Sequence, residues 1–113
     1  MDFYKINIEK DFPPVDVALA EVEIAIDFAK QFKMKAIKIT HGYGSHGQGG
    51  LINIECKKLL QTLKKKKVIN EIIYGVEWNS QNEKTLKLMK TCSGCIADED
   101  LGRSNPGITI VVL

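Results

Sequence analysis

No apolar run in the chain approaches the ~20 residues that a membrane-spanning helix needs. The opening Met1-Asp-Phe-Tyr-Lys5 also lacks the basic-then-apolar layout of a secretory signal. Neither a membrane span nor export is therefore expected, and the cytoplasm is the expected location. Cysteine is scarce: three residues, an odd number, make no disulfide framework and fit a reducing compartment. A chain of 113 residues is long enough to bury a core without such staples. Charge of one sign is in slight excess, a formal net +2, so composition alone establishes no nucleic-acid partner. No internal repeat is detectable. What remains, 44% apolar and 27% charged residues, suits one globular domain spanning residues 1–113.

Glycine is concentrated where it is most informative. Between Lys35 and Leu51 the chain reads as a short strand, then a loop holding Gly42, Gly44, Gly47, Gly49 and Gly50 with two histidines, then the start of a helix. Clustered glycines permit left-handed backbone and let a ligand approach closely. Unpaired amides at the following helix start favour an anion such as phosphate. Lys57, Lys58 and Lys64 to Lys67 follow the loop, so positive potential is expected near it.

Around this loop the hydrophobic pattern alternates strand and helix. Phe3 to Ile8 alternates apolar and polar residues, as a strand does. Asp11-Phe-Pro-Pro14 stops it, with Pro14 suited to a first helical turn. Val15 to Phe32 has helical spacing, with an apolar stripe of Val15, Ala18, Leu19, Val22, Ala25, Ile26, Ala29 and Phe32. Ala36 to Thr40 is a strand, and about Leu51 to Lys66 a second helix burying Ile52, Cys56, Leu59, Leu60 and Leu63. Val68 to Trp78 reads as a third strand with a bulge at Gly75. The polar segment from Asn79 to Gly107 contains a short helix, Lys84 to Lys90, burying Leu86 and Met89. Ile108 to Leu113 is a buried strand. This order predicts an α/β fold, a two-layer βαβαββ sandwich with two main helices. Its mixed sheet has the first three strands parallel and the last antiparallel beside the third.

Individual residues leave alternatives open. His41 ends a strand where open α/β sheets place ligands, and an imidazole there can donate to phosphate or shuttle a proton; alternatively it bonds its own loop. His46 reads either as a second contact or as an exposed loop residue. Gly42-Tyr-Gly44-Ser-His-Gly47 matches a dinucleotide fingerprint, but glycines continue to Gly50 and the chain has too few strands for that fold. Cys92-Ser-Gly-Cys95 is half of a metal knuckle with no second half spaced to match; a redox pair would want a thioredoxin-like strand-to-helix setting that this polar segment does not supply, so it reads as reduced, incidental thiols. Asp98-Glu99-Asp100 reads as a solvated acidic run, or as added metal ligands if the segment folds over the loop.

Taken together, strand, helix, Ile39-Thr-His41-Gly42-Tyr-Gly44, a helix with paired leucines and the ending Gly107-Ile-Thr-Ile-Val-Val-Leu113 resemble the small MutS-related (Smr) domain family. The resemblance spans nearly the whole chain, apart from an insertion at about residues 80–103. It implies a fold similar to the C-terminal domain of a translation initiation factor, binding of DNA or RNA, and in many members a nicking endonuclease activity. Two departures stand out. Where the family's first strand ends Leu-Asp-x-His-Gly, this chain has Ile6-Asn7-Ile8-Glu9-Lys10, and the loop Ser45 to Gly50 is longer than the family's.

The resemblance implies His41, Glu9 and Asn7 as the catalytic candidates, with or without a divalent cation, Mg2+ or Mn2+, as cofactor. Gly42, Tyr43, Gly44, Ser45, His46, Gly47, Lys57 and Lys58 are the candidates for phosphate binding. Asn7 cannot act as a base, and Glu9 offers a carboxylate in place of an imidazole, so binding is carried over more directly than cleavage. A different class of function is a domain kept for protein contacts, for which Tyr74, Trp78 and the segment after them would be the surface. A third is nucleotide binding by the glycine loop.

Overall fold

A computed structural model describes residues 2–43 and 48–113. Among these the chain forms β1 (Phe3–Asn7), α1 (Val15–Gln31), β2 (Ala36–Thr40), α2 (Gln48–Lys65), β3 (Glu71–Tyr74), α3 (Glu83–Met89) and β4 (Ile108–Val112). The strands make a four-stranded sheet in the order β1-β2-β4-β3. β1 and β2 are parallel, and β4 is antiparallel to both β2 and β3. The first three strands therefore run one way, as expected, but β4 lies between β2 and β3. No helix among the described residues is long and apolar enough to cross a membrane.

The crossover helices cover one face. Ala18, Val22, Ala25, Ile26 and Ala29 of α1, with Ile52, Cys56 and Leu60 of α2, pack on Ile37, Ile39, Ile72 and Val111 of the sheet. Small alanines along α1 let the helix sit close to the strands. Both helices end the same way, with a lysine in the left-handed region: Lys33 at φ 56° and Lys67 at φ 61°. The amides of Met34 and Val68 then bond back to Ala29 and Leu63 and satisfy carbonyls of the last turns. The Lys30 ammonium joins the two ends by donating to the Val68 carbonyl at 2.8 Å. Phe32, expected in the stripe, lies beyond the last turn of α1, where it is 59% exposed and rests against Phe28.

The opposite face has a core of its own. Phe3, Ala36, Ile73, Ile108 and Ile110 face Trp78, Leu88, Cys92 and Cys95. The polar segment after β3 is thus folded across the sheet. Asn82 caps α3 by accepting from the amides of Lys84 and Thr85. α3 buries Thr85 and Leu88, whereas Leu86, expected inside, is 42% exposed and Met89 only partly buried.

A buried charge cluster anchors this cover. Lys38, pointing from the middle of β2, reaches Asp98 at 2.9 Å and Asp100 at 2.5 Å. Asp98 also meets Lys5 at 2.8 Å and accepts from the Trp78 indole at 2.9 Å. Burial alone would raise the Asp98 pKa, but Lys5, Lys38 and the indole outweigh it and hold the carboxyl below its ordinary value. Of the acidic run expected to be solvated, Glu99 does stay exposed, whereas Asp98 and Asp100 are instead partners for the sheet's buried lysine. A buried ammonium needs such partners, because an unpaired charge inside is costly.

Strand three is shorter than the pattern Val68 to Trp78 predicts. Val68 closes the end of α2 by donating to the Leu63 carbonyl, β3 begins only at Glu71, and it stops at Tyr74 because Gly75–Glu77 forms a tight 3-10 turn in place of a bulge. Glu77 fixes that turn by accepting from the Tyr74 amide and the Lys84 ammonium. A side chain at Gly75 would overlap the Asn105 carbonyl, so glycine is required there by close approach of another segment.

Candidate functional site

β1, β2 and β3 all end at one rim of the sheet, where β4 begins. The amides of His41 and Gly42 both donate to the Gly107 carbonyl, at 2.9 and 3.1 Å, which ties the exit of β2 to the entry of β4. Gly42 takes φ +72°, a conformation natural to glycine, and the Glu9 carboxylate lies over it so closely that a Cβ would overlap an oxygen. The exit of β1 is shaped by Asn7, whose side-chain oxygen accepts from the amides of Glu9 and Lys10 at 3.0 and 3.1 Å. Asn7, Glu9, Lys10, Asp11, Phe12, Gly42 and Tyr43 together line an open cleft of about 360 Å³. Of the sequence candidates, Asn7, Glu9, Gly42 and Tyr43 therefore converge.

His41 lies beneath this cleft. It follows Ile37 and Ile39 on the helical face and is fully buried. Its Nδ1 donates to the Gly42 carbonyl at 2.7 Å, which can only accept. In the neutral ring this leaves Nε2 to accept from the Thr109 hydroxyl at 2.8 Å. Burial pushes its pKa down to about 4, with a smaller push from the Lys57 ammonium. With both ring nitrogens engaged and the ring buried, His41 holds Gly42 and Thr109 together. The bland alternative, bonding to its own loop, describes the observed geometry. Thr109 and the Gly107 carbonyl are the partners that sequence reasoning missed, although both lie in the terminal Gly-Ile-Thr-Ile run.

The remaining candidates divide. Gly44, Ser45, His46 and Gly47 lie outside the described residues. Lys57 stands over the Tyr74 ring at 5.4 Å, and Gln61 donates to the Tyr74 hydroxyl at 3.1 Å, so this trio flanks the rim at the exit of β3. Lys58 is exposed and near Glu55 at 3.7 Å, a spacing that contributes little in water. Lys64 to Lys67 do not reinforce the rim. They lie at the far end of α2, roughly 25 Å along the helix from its start, and Lys64 is bound to Glu71 at 2.6 Å. Trp78 is fully buried and offers no contact surface.

Glu9 and Asp11 share the cleft, but among the described residues no group of three or more His, Cys, Asp or Glu side chains stands where it could hold a metal ion. Tyr43 is 59% exposed at the cleft edge, and its ring lies against Gly107, where an added Cβ would come within 3.1 Å of it. A supported but open aromatic ring is suited to stacking, while the cleft supplies hydrogen-bonding groups and one ammonium from Lys10.

No family model matches the chain, and no curated protein matches it. Among solved structures it is similar to the Smr domain of Thermus thermophilus MutS2, with a TM-score of 0.57 and 17% identity, over 100% of this chain and 98% of that one. At that identity the likeness establishes the fold: an Smr-like α/β domain with a mixed four-stranded sheet.

Proposed function

We propose that this chain binds DNA or RNA across the rim where β1, β2 and β3 end, holding the phosphate backbone and stacking exposed bases, and that binding without strand cleavage is its activity. The observation that carries the reading is the cleft itself, where the exits of β1 and β2 meet beside the half-exposed Tyr43. Tyr43 offers a face to a base, and Lys10 and Lys57 offer charge to phosphates. Glu9 repels phosphate and so directs the backbone toward the lysine side; its oxygens can accept from a sugar hydroxyl or a cytosine amino group. The fold likeness to an Smr domain supports the same reading. Against cleavage stands His41, the residue the motif nominates, which is buried, neutral and fully bonded.

The test pairs fluorescence anisotropy on single- and double-stranded oligonucleotides over a range of salt with incubation of supercoiled plasmid in Mg2+ or Mn2+. Wild type should bind more weakly as salt rises and leave the plasmid intact. Tyr43→Ala should weaken single-strand binding by about 5- to 150-fold, corresponding to ~1–3 kcal/mol per stacked base. Glu9→Gln should bind as well as wild type or better. Absence of binding at low salt would overturn the proposal. Nicking that disappears in Glu9→Gln would replace it with a hydrolytic role centred on that carboxylate.

A further inference from the structure

The Cys92-Ser-Gly-Cys95 turn lies on the other face of the sheet and takes no part in the rim. Its two sulfurs are in direct contact: the Cys95 thiol donates to Cys92 Sγ at 2.7 Å. Two thiols in direct contact are placed for a sulfur–sulfur bond. Cys56, the remaining thiol, belongs to the helical-face core and cannot complete a metal set with them. The turn is held from outside. Asp2 accepts from the amides of Ser93 and Gly94 at 2.9 and 3.1 Å, and its carbonyl accepts from the Cys92 thiol at 3.7 Å. Both sulfurs are buried, but Ser93 and Gly94 between them are exposed, so lifting a single 3-10 turn uncovers the pair.

We propose that Cys92 and Cys95 form a reversible intramolecular disulfide by exchange with small-molecule disulfides. Cys92 Sγ attacks first, because the bond from Cys95 stabilises its thiolate and holds its pKa below the ordinary thiol value; Cys95, as the donor and buried, is held above it. The Cys92 thiolate displaces one thiolate from RSSR and forms a mixed disulfide. Cys95 then gives its proton to solvent and attacks Cys92 Sγ, expelling the second thiolate. The two protein thiols lose two electrons and two protons in all, and RSSR becomes two RSH.

The native chain is equilibrated in buffers of reduced and oxidised glutathione, quenched with acid, freed of glutathione, then unfolded in guanidinium at neutral pH with N-ethylmaleimide so that the buried thiols react, and weighed by intact-mass spectrometry. The expected result is a form lighter by two hydrogens before alkylation, with one alkylatable thiol left of three, restored to three by reductant. Cys95→Ser should accumulate a glutathione adduct on Cys92, and Cys92→Ser should accumulate none on Cys95. Circular dichroism checks that each variant is folded, and the wild-type result stands without them. Three alkylatable thiols at every glutathione ratio, or oxidation only in denaturant, would overturn the proposal. So would an adduct on Cys95 in Cys92→Ser.

Discussion

Burial turns His41 from an ionisable group into a structural one, and this has a measurable pH signature. Its folded pKa of about 4 lies below the 6.5 of an unhindered histidine. Between these values the unfolded chain binds a proton that the folded chain refuses. Its stabilising contribution is therefore complete above pH 6.5 and is lost as pH falls toward 4, by something on the order of 3 kcal/mol. Asp98, held below its ordinary pKa by Lys5 and Lys38, and Asp100, held down by Lys38, contribute in a separate window: their share is lost only as pH falls below the usual carboxylate range. Urea unfolding at pH 7 and pH 5 should show wild type losing stability between the two. His41→Gln, less stable at pH 7 but without the titrating ring, should lose much less over the same interval. Equal pH slopes in the two proteins would mean that His41 is not buried neutral.

At the scale of elements, the strands and crossover helices were legible because each repeats one simple period. The alanine-rich stripe of α1 and the leucines of α2 mark the face that meets the sheet, and Ile37 and Ile39 alternate with residues of the other face. The segment after β3 was not legible in the same way. α3 is only two turns long, so the spacing of Leu86, Leu88 and Met89 fits several faces, and the observed one is set by the Asn82 cap and by the Thr85 hydroxyl donating to the Glu77 carbonyl. The partnership of Lys38 with Asp98 spans 60 positions and leaves no local trace. Likewise the Gly42 motif marked the exit of β2, but the direction of the His41 ring depends on Thr109, far along the chain. If α3 covers a core, Leu88→Ala should destabilise by about 2–5 kcal/mol and Leu86→Ala by no more than about 0.5 kcal/mol, as read from urea midpoints. Similar small effects from both would show that the segment lies loosely on the sheet.

For the whole molecule, function depends on which end of the sheet meets a ligand. One end carries the cleft, Tyr43, Lys10 and the Lys57–Tyr74 pair. The other carries Lys64 to Lys67 and a cleft of about 350 Å³ lined by Lys35, Lys84 and Lys87 among others. Charge alone would send an anionic polymer to the second end, and the first is distinguished by its aromatic face and backbone geometry. Backbone amide NMR during titration with a short single-stranded oligonucleotide at low salt separates the two directly. Shifts should concentrate at Asn7 to Phe12, Gly42, Tyr43 and Lys57, with the amides of Lys64 to Lys67 unmoved. Shifts confined to Lys35, Lys64 to Lys67 and Lys87 would contradict binding at the first end.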